Sequence, residues 1–205
     1  MKFFKGRKAI IATKHHKEQV IFPLVKEQLG IEVFVPHDYD TDKFGTFTGE
    51  IPREGNALDA VRKKCLDAMN IYGYDLGIAS EGSFGSHPSV FFAQADDELV
   101  LLIDKKNDLE IIARELSLET NFSSEKISTY PQLQTFAQQV HFPSHGLIIK
   151  DSNEKDAKIY KDITDWNYLK RIYAAVSSIS SSIYVETDMR AHRNPTRMQV
   201  IEKAT

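Results

Sequence analysis

One cysteine, Cys65, stands in the whole chain. A single thiol excludes an internal disulfide and a cysteine-based zinc site, and it fits a reducing, cytoplasmic setting. No apolar run is long enough to cross a membrane as a helix. The start, Met1 to Ala12, is basic, but its apolar runs are too short and broken for a signal peptide. Charge of one sign is also scarce: 26 Lys and Arg against 29 Asp and Glu leave a net charge of -3. That balance argues against broad, nonspecific nucleic-acid binding and leaves only a local basic patch at Arg190, Arg193 and Arg197. There is no internal repeat and no linker. No G-x-S-x-G surrounds Ser83, so a nucleophile elbow is excluded. His141 and His145 lack an evident third ligand, which argues against zinc there.

Hydrophobic residues make up 41% of the 205 and charged residues 27%. That is enough apolar material for a sizeable core, and the length suits one α/β domain over residues 1–205. The pattern predicts a short buried strand at Lys8–Thr13, a helix over His16–Leu29 stopped by Gly30, and a second strand at Ile31–Val35, together a βαβ unit. Pro23 falls inside that helix pattern, in its first turn or at a kink. A further helix is expected over Glu54–Met69, with Ala57, Leu58, Val61, Cys65, Leu66 and Met69 as its apolar stripe. Strands are expected at Asp75–Ala79, Glu98–Ile103, Leu109–Ala113, Gly146–Lys150 and Ile183–Thr187, with helices over Tyr130–Val140, Asp165–Ser178 and from Pro195. The fold class is α/β, a mixed central β-sheet flanked by helices.

Three stretches carry more charge and hydroxyl than a scaffold requires: Asp40–Arg53, Ser80–Pro88 and Glu186–Arg197. Loops of this kind are where folds place their chemistry. Asp40 and Asp42, one residue apart, can face one side of an extended loop and offer oxygen ligands to Mg²⁺ or Mn²⁺. An Asx-turn explains the same pair. Thr46, Thr48 and Glu50 lie just before the second helix, where hydroxyls and a helix N-terminus suit an anion, or serve only as caps. Arg53 can clamp a phosphate or pair with a neighbouring glutamate. Glu81 follows an apolar strand directly, beside Gly82 and Ser83, and is the leading candidate for a metal ligand or a base acting on water. His87, before a proline, can shuttle protons or be structural. Thr13 and Lys14 end the first strand, where a basic tip can meet phosphate. Arg190, Arg193 and Arg197 can neutralise an anion or form an internal salt-bridge network.

The chain resembles an uncharacterised, mostly bacterial family classed as a domain of unknown function (DUF6671-like). The likeness rests on Ala12-Thr-Lys-His15, Asp40-Thr-Asp-Lys-Phe-Gly-Thr-Phe-Thr-Gly-Glu50, Ala79-Ser-Glu-Gly-Ser-Phe-Gly85 with His87-Pro88, and Asp188-Met-Arg-Ala-His-Arg-Asn-Pro-Thr-Arg197. It brings no established activity. A second resemblance, to the nucleotide pyrophosphatases of the inosine-triphosphatase and Maf type, rests on Ala12, Thr13, Lys14 and Lys17, on Thr46-Phe47 before a helix with Lys63-Lys64, and on Ser80-Glu81-Gly82. It implies an inosine-triphosphatase-like sheet and metal-assisted cleavage of a pyrophosphate. That family carries paired acidic residues at the strand end, where this chain has Glu81 alone.

The expected function is a metal-dependent hydrolase acting on a phosphate-containing small molecule, with a nucleotide as the favoured class. Glu81 and Asp42 are its catalytic candidates, and Asp40, Asp42, Glu50 and Glu81 its metal ligands. Thr13, Lys14, Thr46, Thr48, Arg53, Ser83, His87, Arg190, Arg193 and Arg197 are its substrate-binding candidates. The alternative is a non-enzymatic anion-binding or sensing module. A homo-oligomer is left open.

Overall fold

The computed structural model describes residues 3–41, 55–154, 156–180 and 182–205. Asp42, Thr46, Thr48, Glu50 and Arg53 lie outside the described residues. The chain divides into two compact units, residues 1–119 with 198–205, and residues 120–197. Helix α5 (Pro195–Ala204) is the element through which that division runs.

The first unit is an α/β layer on a mixed five-stranded sheet. Its elements are β1 (Lys8–Ala12), α1 (Glu18–Leu29), β2 (Glu32–Phe34), α2 (Ala57–Tyr72), β3 (Leu76–Ser86), β4 (Gln94–Asp104) and β5 (Leu109–Ser117), with strand order β2-β1-β3-β4-β5. β1 runs parallel to both β2 and β3, while β3, β4 and β5 form an antiparallel meander. Helix α1 keeps Pro23 in its interior, buries Ile21 and Val25, and ends on Gly30 at φ 68°, the left-handed conformation a helix stop favours. Helix α2 starts where the Asn56 side chain accepts the Asp59 N–H at 2.9 Å. Its stripe of Val61, Cys65, Ala68 and Met69 covers Ile10, Ala12, Ala79, Leu101 and Ile103 on one face of the sheet.

The sequence pattern ends β3 at Ala79 and expects a polar loop after it. The structure instead continues the strand to Ser86, paired residue for residue with β4 from Leu76↔Asp104 to Ser86↔Gln94. Small residues at Ser80, Gly82, Ser83 and Gly85 hide the strand from a propensity reading, and long-range pairing with β4 overrides that propensity.

The second unit contains β6 (Ser124–Ile127), α3 (Tyr130–Gln139), β7 (Leu147–Lys150), β8 (Ile159–Ile163), α4 (Trp166–Ser177) and β9 (Ile183–Thr187), followed by a 3₁₀ turn at Ala191–Arg193. Its four strands form an all-antiparallel sheet in the order β6-β9-β7-β8. Leu133, Phe136, Leu147, Ile149, Leu169, Val176 and Val185 lie in its core. Helix α3 begins with a capping box between Thr129 and Gln132, and α4 with Asp165 accepting the Tyr168 N–H. This second sheet goes beyond the one central sheet that the sequence pattern suggested. β6 is short and mostly polar, and β8 is short with Lys161 and Asp162 interrupting its apolar residues, so neither shows an apolar run. Among the described residues, no helix is long and apolar enough to cross a membrane.

Two features of the first unit make testable statements. Gly77 sits directly under α2, and a Cβ there would lie 2.5 Å from Met69 Cγ and 2.9 Å from Cys65 Sγ. Gly77→Ala is therefore expected to cost about 1–3 kcal/mol in chemical denaturation through overpacking; an unchanged midpoint would contradict that packing. At the end of β4, buried Asp104 accepts from the Arg7 guanidinium, from Asn107 Nδ2 at 2.6 Å and from the Lys106 N–H at 3.1 Å. Arg7, opposed in part by burial, holds its pKa down from 3.8 to about 2. A depressed carboxylate contributes stability that is complete above its unfolded pKa and disappears as pH falls through the folded value. Wild type should therefore lose about 2 kcal/mol between pH 5 and pH 1 that Asp104→Asn does not lose. Parallel pH profiles of the two proteins in urea would refute this.

Candidate active site

The strand order of the first unit reverses at one place. After β1 the chain turns to one side, towards β2, and after β3 it turns to the other, towards β4. The carboxyl end of β1 and the middle of β3 flank that point, and open α/β sheets bind ligands where the strand order reverses. β1 pairs with β3 only as far as Ala12↔Ala79. Thr13 and Lys14 on one side, and Ser80 and Glu81 on the other, are the first residues past that pairing.

The polar groups at this place are buried to an unusual degree. Thr13, Lys17, Lys64, Ser80, Glu81, Asp96 and Glu98 are all buried, with Asp96 and Glu98 at 0% exposure. Buried charges are tolerated only where they find partners or ligands. The pleat sorts them onto two faces, because residues directly opposite in an antiparallel ladder point to the same side. Glu81 lies opposite Leu99, on the face that α2 covers. There the Lys64 ammonium donates to the Glu81 carboxylate and, at 2.9 Å, to the Ser80 carbonyl. Glu98 lies opposite Gly82 and Asp96 opposite Phe84, on the other face. There Lys17 Nζ stands 3.9 Å from Glu98 Oε2. Beside Lys64, the buried Tyr39 hydroxyl donates to Asp67 at 2.8 Å, and burial reinforced by Asp67 raises its pKa. Burial pushes the Cys65 thiol up to about 12, which keeps it protonated and removes it as a nucleophile at neutral pH.

The remaining sequence candidates in this unit have definite places. Thr13 donates its hydroxyl to the Lys14 carbonyl at 3.3 Å, and Lys14 reaches Asp40 at 3.0 Å near the surface. Ser83 lies within β3 opposite Asp97, not in a loop. His87 Nδ1 accepts the N–H groups of Ser89 and Val90, both at 3.1 Å, which ties the ring into the turn between β3 and β4. Lys64, Lys17, Asp96 and Glu98 are the groups that sequence reasoning left out of its candidate set. Lys64 and Lys17 sit in helical sequence that reads as a solvated face, Asp96 belongs to a strand segment whose polarity disguised it, and Glu98 reads only as the first residue of a strand.

In the second unit the arginines form an internal network. Arg190 grips the fully buried Asp188 with Nε at 3.0 Å and Nη2 at 2.6 Å, and reaches Asp162 at 3.0 Å. Arg193 also holds Asp162, at 2.8 Å. Burial raises the Asp162 pKa, but Arg193 and Arg190 outweigh it and hold the carboxyl below its ordinary value. Arg197 is 0% exposed and donates to the Met189 carbonyl, while its N–H bonds Asn194 Oδ1 at 3.0 Å. Of the two readings of these arginines, the salt-bridge network accounts for Arg190 and Arg193. A buried Arg197 and a largely covered Arg190 make a poor surface for nucleic acid. Among the described residues, no group of three or more His, Cys, Asp or Glu side chains has a metal-holding arrangement.

A family model described as Domain of unknown function (DUF6671) matches residues 64–205, well over half of the chain. The chain belongs to that family. No curated protein matches it, and the likeness to the Maf-type pyrophosphatases finds no support in these comparisons. The DUF6671 match begins at Lys64 and so takes in both members of the Lys64–Glu81 pair.

That pair makes a stability prediction for this DUF6671 chain. Removing one member of a buried ion pair strands the other, at about 3–5 kcal/mol, whereas replacing both with apolar groups of similar volume is close to neutral. Lys64→Met and Glu81→Leu should each lower the urea midpoint strongly, and the double variant should be more stable than either. Simple addition of the two losses would show that the pair is not coupled.

Proposed function

We propose that the first unit binds a phosphate-containing small molecule, with a nucleotide as the favoured class, in a crevice just past the last β1–β3 pairing, and hydrolyses it with the help of a divalent cation. The observation that carries this reading is the burial of charged groups at the one topological switch point of the sheet. A scaffold has no need to desolvate Lys17, Lys64, Glu81, Asp96 and Glu98 there, since buried charge is costly unless partners or a ligand compensate it. In this reading Lys14, with Arg53, neutralises phosphate oxygens. Asp40, Asp42, Glu50 and Glu81 supply oxygen ligands to Mg²⁺ or Mn²⁺, and Glu81 or Asp42 orients the attacking water. Thr13, Thr46, Thr48 and Ser83 offer hydroxyl donors. Arg190, Arg193 and Arg197 are left out, since the partners they hold within the second unit account for them.

A second reading, a binding module without turnover, is favoured by one contact. Lys64 already supplies a cation to Glu81, which is the role that a metal would otherwise fill.

A thermal-shift screen of nucleotides and phosphorylated metabolites, each with and without Mg²⁺ or Mn²⁺, separates the two, because a ligand of the native state raises the melting temperature by mass action. The hydrolase predicts a metal-dependent upward shift that Glu81→Gln loses, accompanied by phosphate or pyrophosphate release. A metal-independent shift retained in Glu81→Gln selects the binding module. The absence of any shift across the screen refutes both.

A further inference from the structure

β5 ends its sheet among the described residues, and it lacks the proline, the bulge and the shortness that commonly blunt an edge. It is nine residues long and contains no proline, and it pairs with β4 without a bulge from Asp96↔Ser117 to Asp104↔Leu109. Two isoleucines on it face opposite sides of the sheet. Ile112, opposite Leu101, lies on the α2 face and Ile111, opposite Leu102, on the other. They are 45% and 44% exposed. An edge with open backbone groups and apolar side chains on both faces is suited to accept another strand.

The charges on β5 select which strand. We infer that β5 pairs antiparallel with β5 of a second copy of this chain, about a two-fold axis through Ile112. A two-fold perpendicular to the sheet must pass through a residue, and residues at equal distance on either side of it then lie opposite each other. Centred on Ile112, the pairing sets Glu110 of each copy opposite Arg114 of the other and stacks Ile112 on Ile112. Centred on Ala113, it sets Arg114 opposite Ile112 and buries a charge against an isoleucine. Centred on Glu110 or Arg114, it sets like charges face to face, which destabilises a cross-strand pair. Glu110, Ile112 and Arg114 share the α2 face, where Arg62 holds Glu110 at 3.0 Å and Asp97 holds Arg114 at 2.7 Å. Each charge is thus already neutralised within its own chain, by α2 and by β4, and the contacts across the two-fold add a second partner of opposite sign to each bridge. The result is one continuous ten-stranded sheet across the dimer, with both edges of the interface satisfied.

Sedimentation equilibrium on the full chain tests this. The wild type should show a concentration-dependent monomer–dimer equilibrium. Ile112→Lys, Arg114→Glu and Glu110→Arg should each move it to monomer at the same concentration; Ile112→Lys should leave the melting temperature of the diluted protein little changed, while the two charge reversals, which face Asp97 and Arg62 within the monomer, should lower it. The exchange variant carrying both Glu110→Arg and Arg114→Glu restores opposite charges across the two-fold and should recover the dimer. A wild type that stays monomeric at every concentration overturns the inference, as does a dimer that survives Ile112→Lys. A folded exchange variant that remains monomeric overturns the register.

Discussion

The β3–β4 ladder sets the register of everything else in the first unit. Its rungs run unbroken from Leu76↔Asp104 to Ser86↔Gln94, so no residue of either strand can slip without moving its neighbour to the wrong face. One end of the ladder anchors the meander. There Asp104 closes the turn into β5 through its bonds to Lys106 and Asn107 and ties back to Arg7 just before β1. One rung further in, the absence of a side chain at Gly77 lets α2 settle onto the sheet. Beyond the last pairing with β1, the same alternation delivers Glu81 to the α2 face and Glu98 and Asp96 to the other. A one-residue slip would exchange apolar Ala79 and Leu101 for Ser80 and Val100 under the helix, and would carry Glu81 away from Lys64.

Two buried ion pairs on opposite faces of one sheet are costly to build. Desolvation of each charge is repaid only by close geometry and further hydrogen bonds. The Lys64 ammonium meets that condition by bonding the Ser80 carbonyl as well as Glu81. The contrast with the second unit is instructive. There Asp188 is just as deeply buried, but the guanidinium of Arg190 grips it along one edge, an arrangement that planar Arg provides and Lys does not. Arg190 and Arg193 share Asp162 as well, so their charge is spent inside the unit. Lysine, with a compact ammonium on a flexible stem, is the cation found at the crevice, and arginine is the cation of the structural network.

The parts of the fold legible in sequence were those with strong periodicity. α2 announced itself through Val61, Cys65 and Met69, α4 through its Asp165 cap, and β1 through an uninterrupted apolar run. β2, β7 and β9 were short but apolar, and each emerged within a residue or two of its expected ends. What stayed hidden was every strand whose pairing rather than composition makes it a strand. The outer half of β3 is rich in serine and glycine, the outer half of β4 is acidic, β6 is mostly polar, and β8 is broken by Lys161 and Asp162. The candidate site followed the same divide. Glu81, Thr13 and Lys14 were visible because they trail an apolar strand. Lys64 was not, since one lysine inside an amphipathic helix looks like solvent-facing charge until the sheet beneath it is known to carry Glu81. Gly82 and Phe84 could not reveal Glu98 and Asp96 as cross-strand partners without the register.

The same register links the crevice to the outer edge of the sheet. Rungs of β4 that place Glu98 opposite Gly82 also place it opposite Glu115 of β5, and those that place Leu101 under α2 place Ile112 beside it. The α2 face therefore reads outward as a graded series: Ala12 and Ala79 fully buried, Leu101 fully buried, Ile112 half exposed. An isolated sheet would end such a series on a polar residue, since an apolar side chain left half in water forgoes part of its transfer free energy. Here the series stops on isoleucine, flanked at i−2 and i+2 by one acid and one base. That arrangement is self-complementary under a two-fold rotation, and it lies two strands from the β3 segment that carries Glu81.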